Sequence, residues 1–329
     1  MEGSIVLAAI KLLIWIPLLI FSADVLVKGA SSLAKKLGIS ALMIGLTVVA
    51  FGTSAPELAI NAIAAFRGHT ELALSNVLGS NIANILLILG LAAIIYPVTI
   101  QSDLVRKEIP FNFIITLILA FLILDKLAGY DKNIITWLDA GVLLSIFSIY
   151  FMYLLYQFLK QKNWNHQQEQ THIVSYSPLI SLAMVGWWAI GLTFGGEMIV
   201  QGATSLAYLL KIPSEVIGAT ILAIGTSLPE LAVSVLAALK KHSDIAVGNA
   251  IGSNIFNILW ILGITWLINP LPGYPLIEID LAIAGFAALG LLAFAFWFEK
   301  YKITRGEGIF MVALYIAYLG FLTFKTLYL

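Results

Sequence analysis

Two carboxylates lie in parts of the chain that are otherwise apolar enough to enter a membrane. Glu57 ends the segment GLTVVAFGTSAPE (residues 45–57), and Glu230 ends the segment GATILAIGTSLPE (residues 218–230). The second segment follows the first at an offset of 173 residues without a gap, and eight of the thirteen positions are identical. A carboxylate within an apolar span is unfavourable, so its presence indicates a functional site, such as a pathway for ions.

Each glutamate follows two hydroxyl residues and a proline. Thr53 and Ser54 lie four and three residues before Glu57, a spacing that places all three on one helical face. Pro56 has no N–H group, so the carbonyl of Gly52 loses its helical donor, and in a bilayer a bound cation can take the place of that donor. The second copy repeats the arrangement with Thr226, Ser227, Pro229 and Glu230.

A second pair of repeated segments adds neutral oxygen ligands. The segments NVLGSNIANILLILG (residues 76–90) and NAIGSNIFNILWILG (residues 249–263) are identical at eleven of fifteen positions, again at an offset of 173. Ser80 and Asn84 lie four residues apart, as do Ser253 and Asn257. A set made only of oxygens suits a hard cation such as Ca²⁺, which accepts irregular cages, whereas Mg²⁺ requires a tighter octahedron. All four histidines fall in predicted loops, so a transition-metal site is not indicated.

The hydroxyl residues and glycines of these spans can also have simpler structural roles. Serine and threonine in a span usually bond their own helix backbone, and glycines at GxxxG spacing, such as Gly191 and Gly195, usually serve helix packing. The coincidence of hydroxyls, proline and carboxylate in two copies favours a binding site instead. Asp24 and Glu197, which also match at the offset of 173, lie near predicted helix ends and are more typical of interfacial ion-pairing groups than of an ion pathway. Lys28 is expected to pair with Asp24, one helical turn away.

The composition places these motifs in an integral membrane protein. Of the 329 residues, 60% are hydrophobic and 11% are charged, and the mean hydropathy is +0.98, which leaves too little polar surface for a soluble globule. The formal net charge is zero, so a nucleic-acid partner is not indicated, and the chain has no cysteine for disulfides or thiolate metal sites. The N-terminal segment lacks the features of a signal peptide and is expected to form the first span.

The apolar runs predict an all-α membrane protein with ten transmembrane helices. A helix needs about 20 residues to cross the hydrocarbon core. The spans are predicted at 5–33, 40–65, 72–97, 109–128, 134–158, 178–210, 214–238, 245–269, 277–298 and 308–327. The first and sixth are longer than a perpendicular crossing requires, so we expect them to be tilted.

A single polar stretch, residues 160–176 (KQKNWNHQQEQTHIVSY), divides the chain into two halves. It is interpreted as a short cytoplasmic linker between a first five-helix repeat, residues 1–159, and a second, residues 177–329. Because each unit has an odd number of spans, the second enters the membrane with opposite polarity. The result is a pair of inverted-topology repeats.

The basic residues orient these spans. If the N-terminus is outside, the outer side holds six: Lys11, Arg67, Lys126, Lys132, Lys211 and Lys325. The inner loops then hold eleven: Lys35, Lys36, Arg106, Lys107, Lys160, Lys162, Lys240, Lys241, Lys300, Lys302 and Arg305. The positive-inside rule therefore predicts both termini outside. The acids between spans, Glu108 among them, are expected to be solvated.

The four repeated motifs resemble the two alpha-repeats of the calcium:cation antiporter superfamily, and in particular the prokaryotic sodium/calcium exchangers with ten spans. GTSAPE and GTSLPE are followed by GSNIAN and GSNIFN, in order and in register, and the resemblance covers nearly the whole chain. It implies an antiporter of the cell membrane that carries Ca²⁺ and Na⁺, with no cofactor and no protein partner. The implied cation ligands are Glu57, Glu230, Thr53, Ser54, Ser80, Asn84, Thr226, Ser227, Ser253 and Asn257, with backbone carbonyls from Ala50 and Ala223.

Other interpretations stay open at this point. Some relatives, including potassium-dependent members, have aspartate at the position of Asn257, so this chain has only two carboxylates in the core. A Ca²⁺/H⁺ antiporter is the first alternative, although that branch of the superfamily carries a different signature around its acidic residues. A cation channel is less favoured, since inverted repeats usually serve alternating access. An intramembrane hydrolase would need a base beside its nucleophile, and no predicted span contains a histidine.

Overall fold

The computed structural model of the protein describes residues 2–68, 70–100, 104–123, 135–161, 176–210, 223–270, 277–297 and 301–328. These residues form helices and one pair of very short strands. The predicted linker, residues 160–176, lies almost entirely outside the described ranges.

Six helices belong to the first half of the chain. They are α1 (Glu2–Leu37), α2 (Ala41–Thr53), α3 (Ala55–Phe66), α4 (Thr70–Ile82, continued by Ala83–Leu89 and Gly90–Ile95), α5 (Leu104–Glu108, continued by Ile109–Ile123) and α6 (Trp137–Gln161). The described elements of the second half are α7 (Pro178–Leu209), α8 (Ala223–Gly225), α9 (Leu228–Leu239), α10 (Ser243–Phe256, continued by Asn257–Ile261 and Leu262–Ile268), α11 (Ile277–Trp297) and α12 (Arg305–Tyr328). Strand β1 (Val98–Thr99) pairs antiparallel with β2 (Lys302–Ile303).

The helices are suited to a membrane. Seven described helices are long and apolar enough to cross one, and the bent pair α2 and α3 makes an eighth if it is counted as a single span. Large apolar side chains such as Phe121 and Leu138 project outward, 83% and 81% exposed, as lipid-facing residues do. The spans predicted at 109–128 and 214–238 extend into residues outside the described ranges, so the count of ten stays a prediction.

The longest helices, α1 and α7, pack against each other. They have 36 and 32 residues, or about 54 Å and 48 Å at 1.5 Å per residue, against about 30 Å of hydrocarbon. The predicted excess length is therefore confirmed. Close approach is possible because α7 has small residues at the contact: a Cβ on Gly191 would lie 2.9 Å from Ser22 Oγ, and one on Gly195 would lie 3.4 Å from the side chain of Leu19.

Helix α1 also carries the ion pair that the sequence indicates. Lys28 Nζ lies 2.6 Å from Asp24 Oδ2, as predicted. Asp24 has a second partner that the sequence did not indicate, because Lys240, at the C-terminal end of α9, pairs with its other carboxylate oxygen. Glu197 on α7 is exposed and accepts a hydrogen bond from Gln201, one turn away.

The centre of the molecule is formed by helices from both halves. Helix α2 contacts α10 so closely that a Cβ on Gly252 would lie 2.7 Å from the Cβ of Ala50 and 2.8 Å from the carbonyl oxygen of Leu46. Only glycine fits there, since real Cβ contacts do not become this short. The repeated GSN motif therefore brings α10 against the helix that carries the first glutamate motif.

One expectation about loop charges is wrong. Glu108, at the start of α5, is only 6% exposed, because it packs beneath α6 and accepts a hydrogen bond from Tyr150 Oη at 2.9 Å. The second half contains the same kind of pair, in which Tyr318 of α12 donates to the buried Asp280 of α11 at 2.9 Å. These tyrosines satisfy carboxylates that would otherwise be buried with fewer hydrogen bonds.

Candidate cation-binding site

The two glutamate motifs fold into matching helix breaks. Helices α2 and α3 meet at Ser54 with a bend of 43°, where the backbone of Ser54 has φ −87° and ψ 2°. Ser227, between α8 and α9, has φ −89° and ψ 6°. Each proline lies at the start of the new helix, where a missing N–H is tolerated, and each glutamate lies in the first turn. The positive end of a helix dipole therefore acts on both Glu57 and Glu230.

The two GSN motifs lead into wide helical turns. Asn84 lies in a π-helical segment, Ala83–Leu89, within α4, and Asn257 begins another, Asn257–Ile261, within α10. A π-helical turn holds more residues than an α-helical turn and often occurs at functional sites, because it redirects the side chains that follow it. The four-residue separation of Ser80 and Asn84 therefore falls in an irregular helix, in which the spacing of a regular α-helix does not apply.

Glu230 is held by hydroxyls from two other helices. Its Oε1 accepts hydrogen bonds from Ser54 Oγ at 3.0 Å and from Ser253 Oγ at 3.4 Å. Glu57 lies close enough to Glu230 for the two carboxylates to interact electrostatically. Both glutamates are 1% exposed, and the contacts join the break between α2 and α3 to α9 and α10.

The equivalent hydroxyls of the other half make different contacts. Ser227 donates to Ser80 Oγ at 3.1 Å and not to Glu57, and Ser80 lies 3.3 Å from Thr226 Oγ1. Thr226 in turn donates to Asn76 Oδ1 at 3.0 Å. The predicted ligands of the second glutamate motif and of the first GSN motif are thus brought together, but by bonds to one another.

Thr53 is positioned by a residue of the other half. Its Oγ1 lies 3.0 Å from Asn249 Oδ1 and 3.3 Å from the carbonyl oxygen of Ala50. That carbonyl also accepts the backbone N–H of Ser54 at 3.0 Å, and the single hydroxyl proton of Thr53 serves only one of its two acceptors at a time. Ala223, the other predicted carbonyl ligand, begins the single turn α8.

The matching threonine–asparagine contacts differ in exposure. Thr53 and Asn249 are both 0% exposed, whereas Thr226 and Asn76 are partly exposed. The site is therefore sealed beside the first threonine and more open beside the second.

The glutamates and the ligand asparagines lie on α3, α4, α9 and α10, and we call the place where these four helices meet the crossing. Five buried oxygens at the crossing have no hydrogen-bond donor among the residues that the structure describes. They are Glu57 Oε1, Glu57 Oε2, Glu230 Oε2, Asn84 Oδ1 and Asn257 Oδ1. Every one of them is an acceptor, and burying an acceptor without a partner costs about 1–3 kcal/mol, or more when it is charged. A cation supplies what such a group lacks. Within the described ranges no three His, Cys, Asp or Glu side chains come together, so most of the available ligands are neutral oxygens.

Four asparagines in the site were missed by the sequence reasoning. Asn76 and Asn249 hold the two threonines, and Asn81 and Asn254 contact the amides of Asn257 and Asn84. The available signal was identity between the repeats, because all four occupy matched positions of the 76–90 and 249–263 segments. Asn81 lies between Ser80 and Asn84, and Asn254 lies between Ser253 and Asn257, so a four-residue spacing of ligands does not include either of them.

Comparison with known proteins gives one consistent result. The family described as "Sodium/calcium exchanger protein" matches residues 7–159 and 180–324. The chain is 34% identical to the inner membrane protein YrbG of Escherichia coli, with 96% of this chain and 97% of that protein covered. It is 32% identical to the sodium/calcium exchanger MaX1 of Methanosarcina acetivorans, with 94% and 96% covered. Among solved structures, the sodium-calcium exchanger NCX_Mj superposes with a TM-score of 0.79 at 33% identity, with 96% of this chain and 99% of that chain covered.

Proposed function

Because the chain belongs to the sodium/calcium exchanger family, we propose that it exchanges Ca²⁺ for Na⁺ at the site between Glu57 and Glu230. The observation that carries this assignment is the group of five buried acceptor oxygens without donors. They come from helices of both halves, and they include three of the four carboxylate oxygens at the crossing.

The chemistry of these atoms matches the proposed ions. Ca²⁺ is coordinated by six to eight oxygens in a flexible geometry, and carboxylate, amide, hydroxyl and backbone oxygens all serve. The five hydroxyls that contact one another or Glu230 can rotate to turn lone pairs toward a cation. The ligand set is therefore Glu57, Glu230, Thr53, Ser54, Ser80, Asn84, Thr226, Ser227, Ser253 and Asn257, with the carbonyls of Ala50 and Ala223. The Ala50 carbonyl takes part when Thr53 turns its hydroxyl away from it.

The proposed architecture is ten spans in two inverted repeats, residues 1–159 and 177–329, joined by the linker 160–176. The repeated helix breaks at Ser54 and Ser227, with backbone angles that agree within a few degrees, support it. So do the paired contacts of Asn84 with Asn254 and of Asn257 with Asn81, which are related by the offset of 173. Inverted repeats place a binding site at their interface near the middle of the membrane.

A group of basic residues at one end of the molecule supports the orientation with both termini outside. Strand β2 contains Lys302 and pairs with β1, Arg106 contacts Tyr301 Oη at 3.5 Å, and Lys241 lies 5.9 Å from the ring centroid of Tyr96. These residues lie in or beside three separate inter-helix connections. A basic end of this kind faces the cytoplasm.

Exchange requires that the site open to one side at a time. Two ionised carboxylates without a cation are expensive to seal away from water, at several kcal/mol for each charge. A bound cation removes this penalty, so an occupied site can close and reopen on the other side, whereas an empty site cannot. The long helices α1 and α7 pack on each other and border the core, and they are the elements that slide to make the change.

The test is the removal of one carboxylate charge. In proteoliposomes with an imposed Na⁺ gradient, Glu57→Gln and Glu230→Gln should each lose uptake of isotopic Ca²⁺. Glu197→Gln is the matched control, because Glu197 is exposed on α7 and contacts Gln201, and it should exchange like the unaltered protein. Normal uptake by either site variant would overturn the assignment. Ca²⁺ uptake that is driven by a proton gradient and not by a Na⁺ gradient would show that the protein couples Ca²⁺ transport to protons.

A further inference from the structure

Four asparagines form a reciprocal network between α4 and α10. Asn84 Nδ2 donates to Asn254 Oδ1 at 2.9 Å, and Asn257 Nδ2 donates to Asn81 Oδ1 at 3.0 Å. Asn81 Nδ2 donates to the backbone carbonyl of Asn254 at 3.3 Å, and Asn254 Nδ2 donates to that of Asn81 at 3.4 Å. All four side chains are at most 4% exposed.

We propose that Asn81 and Asn254 are positioning residues, which turn the amides of Asn84 and Asn257 so that their oxygens face the cation. This rests on the proposed function of the site. An amide has two ends of nearly equal size, an oxygen that accepts hydrogen bonds and an NH₂ group that donates them. Only the oxygen can coordinate a cation, so an amide ligand is useful in one of its two orientations.

The two backbone carbonyls decide the orientation. A carbonyl oxygen only accepts, so the end of the Asn81 side chain that contacts the carbonyl of Asn254 must be its NH₂ group. The other end of Asn81 is then an oxygen, and the group that faces it must donate. That group is the NH₂ of Asn257, which leaves the oxygen of Asn257 turned away from the network. The same steps fix Asn84 through Asn254.

The remaining contacts agree with this reasoning. Asn84 Oδ1 and Asn257 Oδ1 are both buried without a donor among the described residues, and they belong to the group of five acceptors at the crossing. A rotated amide would place its NH₂ group where the cation binds and would set two oxygens against each other in the network. The network therefore supplies two neutral ligands in fixed orientation without adding charge to the site.

The direct test removes one orienting oxygen. Asn254→Leu has a side chain of similar size that cannot accept from Asn84. The dissociation constant for isotopic Ca²⁺, measured by equilibrium binding to the purified protein, should rise about tenfold, or about 1.4 kcal/mol. The Ca²⁺ concentration that gives half-maximal exchange should rise in the same proportion, because the expected loss is one of cation affinity. Asn112→Leu is the matched control, since Asn112 is a buried asparagine of α5 outside the network, and its Ca²⁺ affinity should not change.

A double-mutant cycle separates orientation from packing. Asn84→Asp has an oxygen at both ends, so its orientation no longer matters. Adding Asn254→Leu to Asn84→Asp should therefore change Ca²⁺ affinity less than twofold. An equal, tenfold loss in both backgrounds would overturn the proposal, as would an unchanged affinity of Asn254→Leu alone. If the leucine variants do not fold, Asn254→Ala removes the same acceptor without added bulk and carries the same expectations.

The outcomes also distinguish this proposal from the function on which it rests. If Glu57→Gln exchanges Ca²⁺ normally, the site itself is misplaced. If Glu57→Gln is inactive while Asn254→Leu binds Ca²⁺ like the unaltered protein, the site stands and the orienting role alone is wrong.

Discussion

The charge of the site predicts a response to membrane voltage. The core of the cation site, as far as the structure describes it, holds two carboxylates, Glu57 and Glu230, and the amides Asn84 and Asn257 are neutral. With both carboxylates ionised, one Ca²⁺ brings the core to zero. Three Na⁺, the number that the resemblance to sodium/calcium exchangers suggests, bring it to +1. Exchange of three Na⁺ for one Ca²⁺ then moves one net charge across the membrane in each cycle.

The size of the effect follows from that single charge. One elementary charge crossing 100 mV is worth about 2.3 kcal/mol. Since about 1.4 kcal/mol corresponds to a factor of ten, the equilibrium ratio of Ca²⁺ across the membrane should shift by more than tenfold for each 100 mV. An inside-positive potential favours the outward movement of net positive charge, so it should drive Ca²⁺ into the vesicle.

The assay uses proteoliposomes with equal sodium gradients, whose voltage is clamped by a potassium ionophore and defined potassium concentrations. Uptake of isotopic Ca²⁺ should be greater at an inside-positive potential than at zero. Vesicles without protein measure the leak, and vesicles with Glu57→Gln measure flux that does not pass through the site. Uptake that is indifferent to voltage would refute the charge count and favour two sodium ions, or two protons, for each Ca²⁺.

Two further predictions concern packing. Gly252→Ala places a methyl group 2.7 Å from a side chain of α2, so it should destabilise the protein by about 1–3 kcal/mol and weaken Ca²⁺ binding. Thermal unfolding with and without Ca²⁺ measures both effects. Gly141→Ala, whose added methyl group has nothing within 4 Å, should have neither effect. Tyr150→Phe removes the hydrogen bond to the buried carboxylate of Glu108, so it should lower stability by about 1–3 kcal/mol while the Ca²⁺ affinity stays unchanged. A large loss of Ca²⁺ affinity would show that this pair belongs to the transport site.

The features of the fold that could be predicted are those that depend on residue type and on local spacing. Burial of glutamates in apolar spans, the break before each proline and the pairing of Asp24 with Lys28 follow from the residues and their spacing. Membership of the exchanger family, indicated by the repeated motifs, is confirmed by the comparisons. The ligand set itself stays a prediction until it is tested.

Other features depend on contacts between distant parts of the chain. Glu108 follows two basic residues and has the sequence of a solvated loop, but Tyr150, on another helix, covers it. The orientation of Asn84 depends on carbonyls that face each other only after α4 meets α10. Local spacing also assumes a regular helix, and the π-helical segments depart from it.

The unequal contacts of the two repeats could not be predicted at all from their sequences. Ser54 and Ser227 occupy the same motif position, but one donates to Glu230 and the other to Ser80. The difference lies in the conformation of the whole molecule, which two segments with the same hydroxyl, proline and glutamate positions cannot encode locally. A single sequence motif here supports two environments.

The difference in exposure between the two threonine–asparagine pairs restricts which side chains can occupy these positions. If the two halves exchange roles as the site opens to the other side, Thr53 and Asn249 must become partly hydrated, and Thr226 and Asn76 must become dry. An apolar side chain would favour the dry environment and a charged one the wet environment, so either would bias the protein toward one state. A hydroxyl or an amide bonds to water about as well as to its protein partner. Its preference between the two states is therefore small, and the free energies of the two states can remain close enough for repeated turnover.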